Sequence, residues 1–309
     1  MLAAQFDRFG PPDVLSVRSA PDPHPGPAEI RIRVMAAGIS PVDLSLRSGN
    51  SPSSKSLPLP HIPGVDAAGV VDEIGAGVTG VAIGDEVFGS VDISRLGGAS
   101  AELAVLKNWA AKPSSLPWDQ AGAAGTSIET ATRALDILDP REGSTLLIDG
   151  ASGGVGSVAV LLALARGAQV IGTGRQESQA FISELGATPV IYGTGLPERV
   201  HALGLAAVDL ALDVAGAGSL PDLVAITGDA RRVLTIADFS ASQHGVRLSM
   251  GELAGEASGQ HGLERAAELW TEGRFHVPLK ATFPLARIAE GHAAAGEGPR
   301  QGKVALTVE

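Results

Sequence analysis

The chain has 309 residues, 44% of them hydrophobic and 18% charged, with a formal net charge of -11. That length predicts two domains, each with enough apolar side chains for a core. The acidic balance argues against nucleic-acid phosphates as a partner, and the lack of cysteine excludes disulfides and thiolate metal sites.

The opening MLAAQFDRFG holds Asp7 and Arg8 and no apolar run of signal length. Nowhere do about 18 apolar residues run uninterrupted, so a cytoplasmic protein with no membrane partner is expected. Up to about Trp118, strand-like segments are short and broken by Gly and Pro. EIRIRVMAAGI alternates from Glu29 to Met35 with the two-residue period of a half-buried strand. The segment from Asp66 to Gly89 repeats this, with Gly75, Gly77, Gly80 and Gly84 marking turns. A small, barrel-like antiparallel domain over residues 1–118 is expected. The run SPSSKS, Ser51 to Ser56, reads as a mobile loop.

The pattern changes after Leu116-Pro117. A helical stretch leads to strand-like segments ending near Asp149, Thr173, Ile191, Asp213 and Ile236, with helical patterns between them. This alternation predicts an α/β domain over residues 119–274, a doubly wound parallel sheet with helices on both faces. The tail returns to strand and short helix, so residues 275–309 are expected to complete the first domain. GVRLSM, Gly245 to Met250, reads as an edge strand of the second sheet. Such an edge is usually paired or covered, and a homodimer is expected.

The strongest single signal is the glycine turn after Asp149. Gly150-Ala151-Ser152-Gly153-Gly154-Val155-Gly156 fits the dinucleotide fingerprint G-x-G-x-x-G, with Ala151 in its first place. A middle glycine lets the backbone approach a pyrophosphate, the last lets the helix pack on the strand, and the helix N-terminus offers free N–H groups. A strand before, a helix after and a second strand at the right distance support a nucleotide site. A Walker A loop is excluded, because no lysine followed by Ser or Thr closes the turn. About 20 residues past the motif, an acid would hold the ribose 2′-hydroxyl of NAD. Here stand Thr173 and Gly174, and then Arg175, a guanidinium suited to a 2′-phosphate. NADP(H) is the expected cofactor, with a solvated Arg175 as the competing reading. Tyr192, ending the third strand of this sheet, either assists that phosphate or covers an edge.

These segments resemble the medium-chain dehydrogenase/reductase superfamily, in its zinc-independent quinone oxidoreductase, or zeta-crystallin-like, branch. AAGISPVDLSLRSG, PHIPGVDAAGVVDEIGAGVTG, GASAELAVL, AAGTSIETATRAL, GASGGVGSVAV and GKVALTV follow one another in family order along the whole chain. The resemblance implies a GroES-like catalytic domain, an inserted Rossmann domain and a cleft between them. Where zinc alcohol dehydrogenases have a ligating Cys this chain has Ser40, and where they have Gly-His-Glu it has Gly64-Val65-Asp66. Neither zinc site is expected to form. Ser40 also departs from the Asn common in quinone reductases.

The implied activity is an NADPH-dependent reductase acting on a quinone or α,β-unsaturated carbonyl. The alternatives are an enoyl-thioester reductase and an NADPH-binding protein with a structural role. A conjugated acceptor spreads the charge that builds on oxygen, so a few hydrogen-bond donors can replace a Lewis acid. The resemblance points to Ser40 and His61 as such donors, with His61 as packing in the cleft wall the competing reading. Asp43 is expected to orient backbone or cap a helix, and Arg47 either reaches the cofactor or is solvated. For the cofactor the expected residues are Ser152, Gly153, Gly154, Val155 and Gly156 at the pyrophosphate, and Thr173, Gly174, Arg175 and Tyr192 around the adenosine. Val214, Ala215, Gly216, Ile236, Ala237 and Thr126 are expected to border the nicotinamide ribose. Lys303 resembles a basic residue that the superfamily places near the pyrophosphate; a plain surface lysine is the other reading. The remaining histidines, His24, His201, His244, His261, His276 and His292, have no partner spacing and are expected at the surface.

Overall fold

The structure is a computed structural model that describes residues 1–308. Strands β1 (Leu2–Gln5) and β2 (Ser16–Ser19) form a small antiparallel pair. The long β3 (Ile30–Ile39) leads through Ser40 into helix α1 (Pro41–Ser48). Strands β4 (Asp66–Ile74), β5 (Glu86–Ser90), β6 (Leu103–Leu106) and β7 (Asn108–Ala111) follow. Helices α2 (Trp118–Gly122) and α3 (Gly125–Leu138) lead to the second sheet. There β8 (Thr145–Asp149), α4 (Gly154–Ala165), β9 (Gln169–Gly174), α5 (Gln179–Glu184) and β10 (Thr188–Ile191) alternate. They are followed by α6 (Leu196–His201), β11 (Leu210–Asp213), α7 (Leu220–Thr227), β12 (Val233–Thr235) and β13 (Arg247–Leu248). Helix α8 (Gly262–Thr271), β14 (Leu279–Pro284), α9 (Ile288–Gly296) and β15 (Lys303–Thr307) complete the chain.

The first sheet runs β14-β15-β3-β4-β5-β7, with β6 also paired to β3. The last strand, β15, lies between β14 and β3, so the C-terminal segment completes the first sheet. The second sheet runs β10-β9-β8-β11-β12-β13 and is parallel throughout. Its order is that of the doubly wound nucleotide-binding fold, in which ligands sit where the order reverses, here between β8 and β11.

Alternation along the second-sheet strands explains its apolar sequence. Leu146 and Ile148 of β8, Val170 of β9, Leu212 of β11 and Leu234 of β12 pack into one core. Their neighbours Leu147, Ile171, Ala211 and Val233 pack into another. Successive side chains point to opposite faces, and helices cover both, so the strand interiors read as near-continuous apolar runs. The first of these cores continues across α3 to Ala68, Phe88 and Ala110 of the first sheet. The two sheets therefore share buried surface, which holds their strand ends in a fixed relation.

Three local expectations resolve differently or further. Residues 52–56 form a short 3-10 helix, started by the Ser51 hydroxyl accepting from the Ser53 amide. His292 on α9 is buried, not at the surface, and neither ring nitrogen has a hydrogen-bond partner. Burial, aided by the charge of Arg47, holds its pKa down to about 3, so the ring is neutral. Among the described residues, the outer edge of β13 has no partner strand.

Candidate functional site

The exits of β8 and β11 open on a cavity of about 460 Å³ whose walls come from both sheets. Its floor is the glycine turn. Gly153 precedes α4 in an extended conformation, and no side chain caps the helix. The first-turn N–H groups are therefore left for a ligand, beside the positive end of the helix. The glycines divide the work. A Cβ on Gly156 would stand 2.1 Å from the Gly150 carbonyl oxygen and 2.9 Å from the Ala151 Cα, so this residue brings α4 against the turn. A Cβ on Gly153 would meet only one protein atom, at 3.5 Å. Nothing in the protein requires glycine there, and the space belongs to the cavity. Gly156→Ala is expected to cost about 1–3 kcal/mol by forcing backbone apart. Gly153→Ala should be neutral or stabilising by up to about 1 kcal/mol. Urea unfolding of the two variants checks this contrast, and equal losses would refute it.

At the inner end of the cavity three neighbouring strand ends bring charged groups together. Asp66 opens β4 opposite Gly38, and Lys303 opens β15 beside the end of β3, from which Ser40 projects. Lys303 Nζ donates to Ser40 Oγ at 2.6 Å and to Asp66 Oδ2 at 2.9 Å, and the Ser40 hydroxyl donates to Asp66 Oδ2 at 3.1 Å. Asp66 Oδ1 accepts the Thr126 amide at 2.6 Å and also its hydroxyl. Asp66 is fully buried and Lys303 nearly so. Asp43 stands behind this group. It accepts the amides of Ser40 at 2.7 Å and Gly64 at 2.9 Å, and burial raises its pKa to about 6. Ser40, Thr126 and Lys303 all face the cavity.

The outer end is cationic. Gly174 and the exposed Arg175 leave β9 on this wall, and Tyr192, 44% exposed, follows β10. Arg300 joins them from the tail, where the Gln301 amide group donates to the Glu177 carbonyl at 3.1 Å and the Gly302 amide to the Ser152 carbonyl at 2.9 Å.

Comparison with known proteins agrees with this architecture. Residues 26–114 match the alcohol dehydrogenase GroES-like domain, and residues 154–256 match the zinc-binding dehydrogenase family. The human quinone oxidoreductase is 38% identical over 195 residues, 62% of this chain and 58% of that protein. An Arabidopsis thaliana NADPH-dependent alkenal/one oxidoreductase is 33% identical over 197 residues, 60% of this chain and 51% of that one. The chain thus spans little more than half the length of these curated relatives. A solved structure of an alcohol dehydrogenase superfamily protein from Novosphingobium aromaticivorans is 31% identical, with a TM-score of 0.84 and complete coverage of both chains. The chain belongs to the medium-chain dehydrogenase/reductase superfamily.

Within this dehydrogenase fold, a GroES-like part and a Rossmann-like part, the strand ends carry buried acids that the sequence reading passed over. Asp149, ending β8, accepts the hydroxyl of Thr173 and that of Ser219, the latter at 2.5 Å. Asp213, ending β11, accepts the amides of Ala215 and Gly216, both at 2.9 Å, and the Thr235 hydroxyl at 2.7 Å. Burial raises the Asp213 pKa. Thr235 in turn accepts the amides of Ala237 and Asp238. These side chains fold the exit loops back on their own strands and give the cavity a fixed wall. An acid closing an apolar strand, as in LLID and LALD, was the available signal.

Several expected site residues do not border this cavity. His61 lies elsewhere, its ring packed edge-on against Phe6 at 5.5 Å and its Nε2–H donating to the Leu96 carbonyl at 3.0 Å. Burial lowers its pKa, so the ring is neutral and its proton is committed to backbone. Gly216, Ile236 and Ala237 are also absent from the lining, whereas Val214, Ala215 and Ala217 are on it. Gly216 abuts the Ala237 carbonyl, so the two exits close on each other. Arg47 neither reaches the cavity nor stands in solvent. It is buried, with Nε and Nη1 unpartnered.

Proposed function

We propose that the protein is an NADPH-dependent reductase that transfers hydride to a quinone or an α,β-unsaturated carbonyl without zinc. The carrying observation is one cavity that combines an uncapped helix N-terminus, cations and no acid at the β9 exit, and a buried hydroxyl–ammonium pair. Ser152 to Gly156 would hold the pyrophosphate, with the Gly153 space receiving it. Thr126, Val214 and Ala215 would border the nicotinamide ribose. Gly174, Arg175, Tyr192 and Arg300 would surround the adenosine, with Arg175 on the 2′-phosphate. When bound, the cofactor supplies a hydride.

The chain's own part is to orient the acceptor and receive the charge that develops on its oxygen. Among the described residues no group of three or more His, Cys, Asp or Glu side chains is placed to hold a metal ion. The Ser40 hydroxyl, backed by the Lys303 ammonium, is the donor that the cavity offers. A conjugated acceptor suits it, because its charge is already delocalised.

The test is NADPH oxidation with a benzoquinone, a 2-alkenal and a crotonyl thioester, before and after dialysis against a strong chelator. Turnover of the first two, unchanged by the chelator, is the expected result. A loss restored only by zinc overturns the metal-free reading. Turnover of the thioester alone would make the protein an enoyl-thioester reductase. Tight NADPH binding with no turnover of any acceptor would make it a binding protein.

A further inference from the structure

Lys303 is placed as a proton source and not only as a charge. Its residue is 4% exposed, its stem lies against the start of α4, and a Cβ on Gly154 would come within 2.6 Å of its Cδ. The ammonium is thereby pinned between Ser40 Oγ at 2.6 Å and Asp66 Oδ2 at 2.9 Å. Asp66 is held in turn by the Thr126 amide and hydroxyl, so the anchor cannot swing away. The Ser40 hydroxyl uses its proton toward Asp66 at 3.1 Å, a longer contact than the one it accepts from Lys303. Turning that proton toward an acceptor oxygen leaves the bond from Lys303 in place.

We propose that Lys303 recharges Ser40 during reduction of an enone, as a positioning residue acting through the Ser40 hydroxyl. This rests on the enone reductase reading above. The hydride from the reduced nicotinamide cofactor becomes a C–H bond at the β-carbon, and the displaced π pair generates an enolate. The Ser40 O–H bond breaks as its proton passes to the enolate oxygen, giving the enol, while a Lys303 N–H bond breaks to restore the serine hydroxyl. Water reprotonates the Lys303 amine, and the enol tautomerises to the saturated carbonyl. One hydride and one proton are consumed per turnover. Asp43 and Asp66 are the ionisable groups packed around Lys303, and Arg175 and Arg300 lie on the wall of the same cavity.

The alternative role, a counter-charge for the pyrophosphate, predicts different behaviour. Lys303→Arg keeps a cation for Asp66 and for a phosphate, but a guanidinium does not release its proton. Lys303→Arg, Ser40→Ala and the double variant are assayed with cyclohex-2-enone and with 2,6-dichloro-1,4-benzoquinone, whose hydroquinone anion leaves readily without a proton. NADPH affinity is read separately by fluorescence titration. Both single variants should lower kcat for the enone by about 100-fold, the scale of a lost proton-transfer step. The enone-to-quinone turnover ratio should fall at least about tenfold, and the double variant should be no slower than the slower single, as groups acting in series are. Lys303→Arg should bind NADPH within about threefold of wild type, a difference of less than about 0.7 kcal/mol. Equal losses with both acceptors, multiplicative losses in the double variant, or a Lys303→Arg enzyme at full enone turnover would each overturn the relay. A wild-type protein that reduces neither acceptor overturns the enone reductase reading itself, and the relay with it.

Discussion

Asp66→Ala should destabilise the protein by about 3–5 kcal/mol, the cost of leaving one charge of a buried pair without its partner. Asp66 is fully buried and gathers Lys303, Ser40 and the amide and hydroxyl of Thr126, so its loss strands several donors at once. The loss should fall hardest on Lys303, which is nearly as buried and whose ammonium has Asp66 as its ion-pair partner. The prediction is specific about the remedy. Adding Lys303→Met should recover a large part of the lost stability, because an apolar pair of similar volume avoids the desolvation cost of the ion pair. Urea unfolding of wild type, both single variants and the double variant measures the coupling. A loss below about 1 kcal/mol for Asp66→Ala would mean that water or local relaxation solvates Lys303, and that the cluster does not hold the two parts of the fold together.

Arg175→Ala should weaken NADPH far more than NADH. A charge-assisted bond to the 2′-phosphate contributes roughly 1.5–3 kcal/mol, about one to two decades in affinity. On the reading proposed above, the glycine turn would serve the pyrophosphate that both cofactors share and so would not discriminate. The exposure of Arg175 would place such a contact in solvent, where salt should erode it. Fluorescence titration of both cofactors at low and moderate ionic strength is the measurement. An unchanged NADPH-to-NADH ratio would move the selection to Arg300 or Tyr192 on the same wall. Installing an acid for NADH requires more than one substitution. A Cβ on Gly174 would meet Ile182 Cδ1 at 2.6 Å, so Gly174→Asp should need Ile182→Val beside it, and Arg175→Ala as well.

The sequence alone determined the features that depend on local pattern. The apolar runs ending in Asp149 and Asp213 mark strands buried on both faces, and the glycines after Asp149 mark where a helix must approach a strand. The absence of an acid at Thr173-Gly174-Arg175 is likewise visible without coordinates, because the second strand follows the turn at a fixed distance. Burial of His292 was not visible. A lone histidine in a helix of small residues carries no periodicity that separates core from surface.

Tertiary structure decided which polar residues meet. Ser40, Asp66 and Lys303 are separated by up to 263 positions, and it takes both the pairing of β3 with β4 and the insertion of β15 between β14 and β3 to make them neighbours. The same pairing turned Lys303 from one of two sequence readings, phosphate contact or surface lysine, into the buried partner of a serine. His61 moved the other way: its segment approaches the cleft region, yet the pairing of residue 61 with Phe6 turns its ring into the packing between strands. Arg300 joined the outer wall because Gln301 and Gly302 bond to backbone of the turns that follow β9 and β8. Strands and turns follow from near neighbours in sequence, whereas a buried charge is tolerated only where distant strands deliver its partner, and that delivery is a property of the assembled sheets.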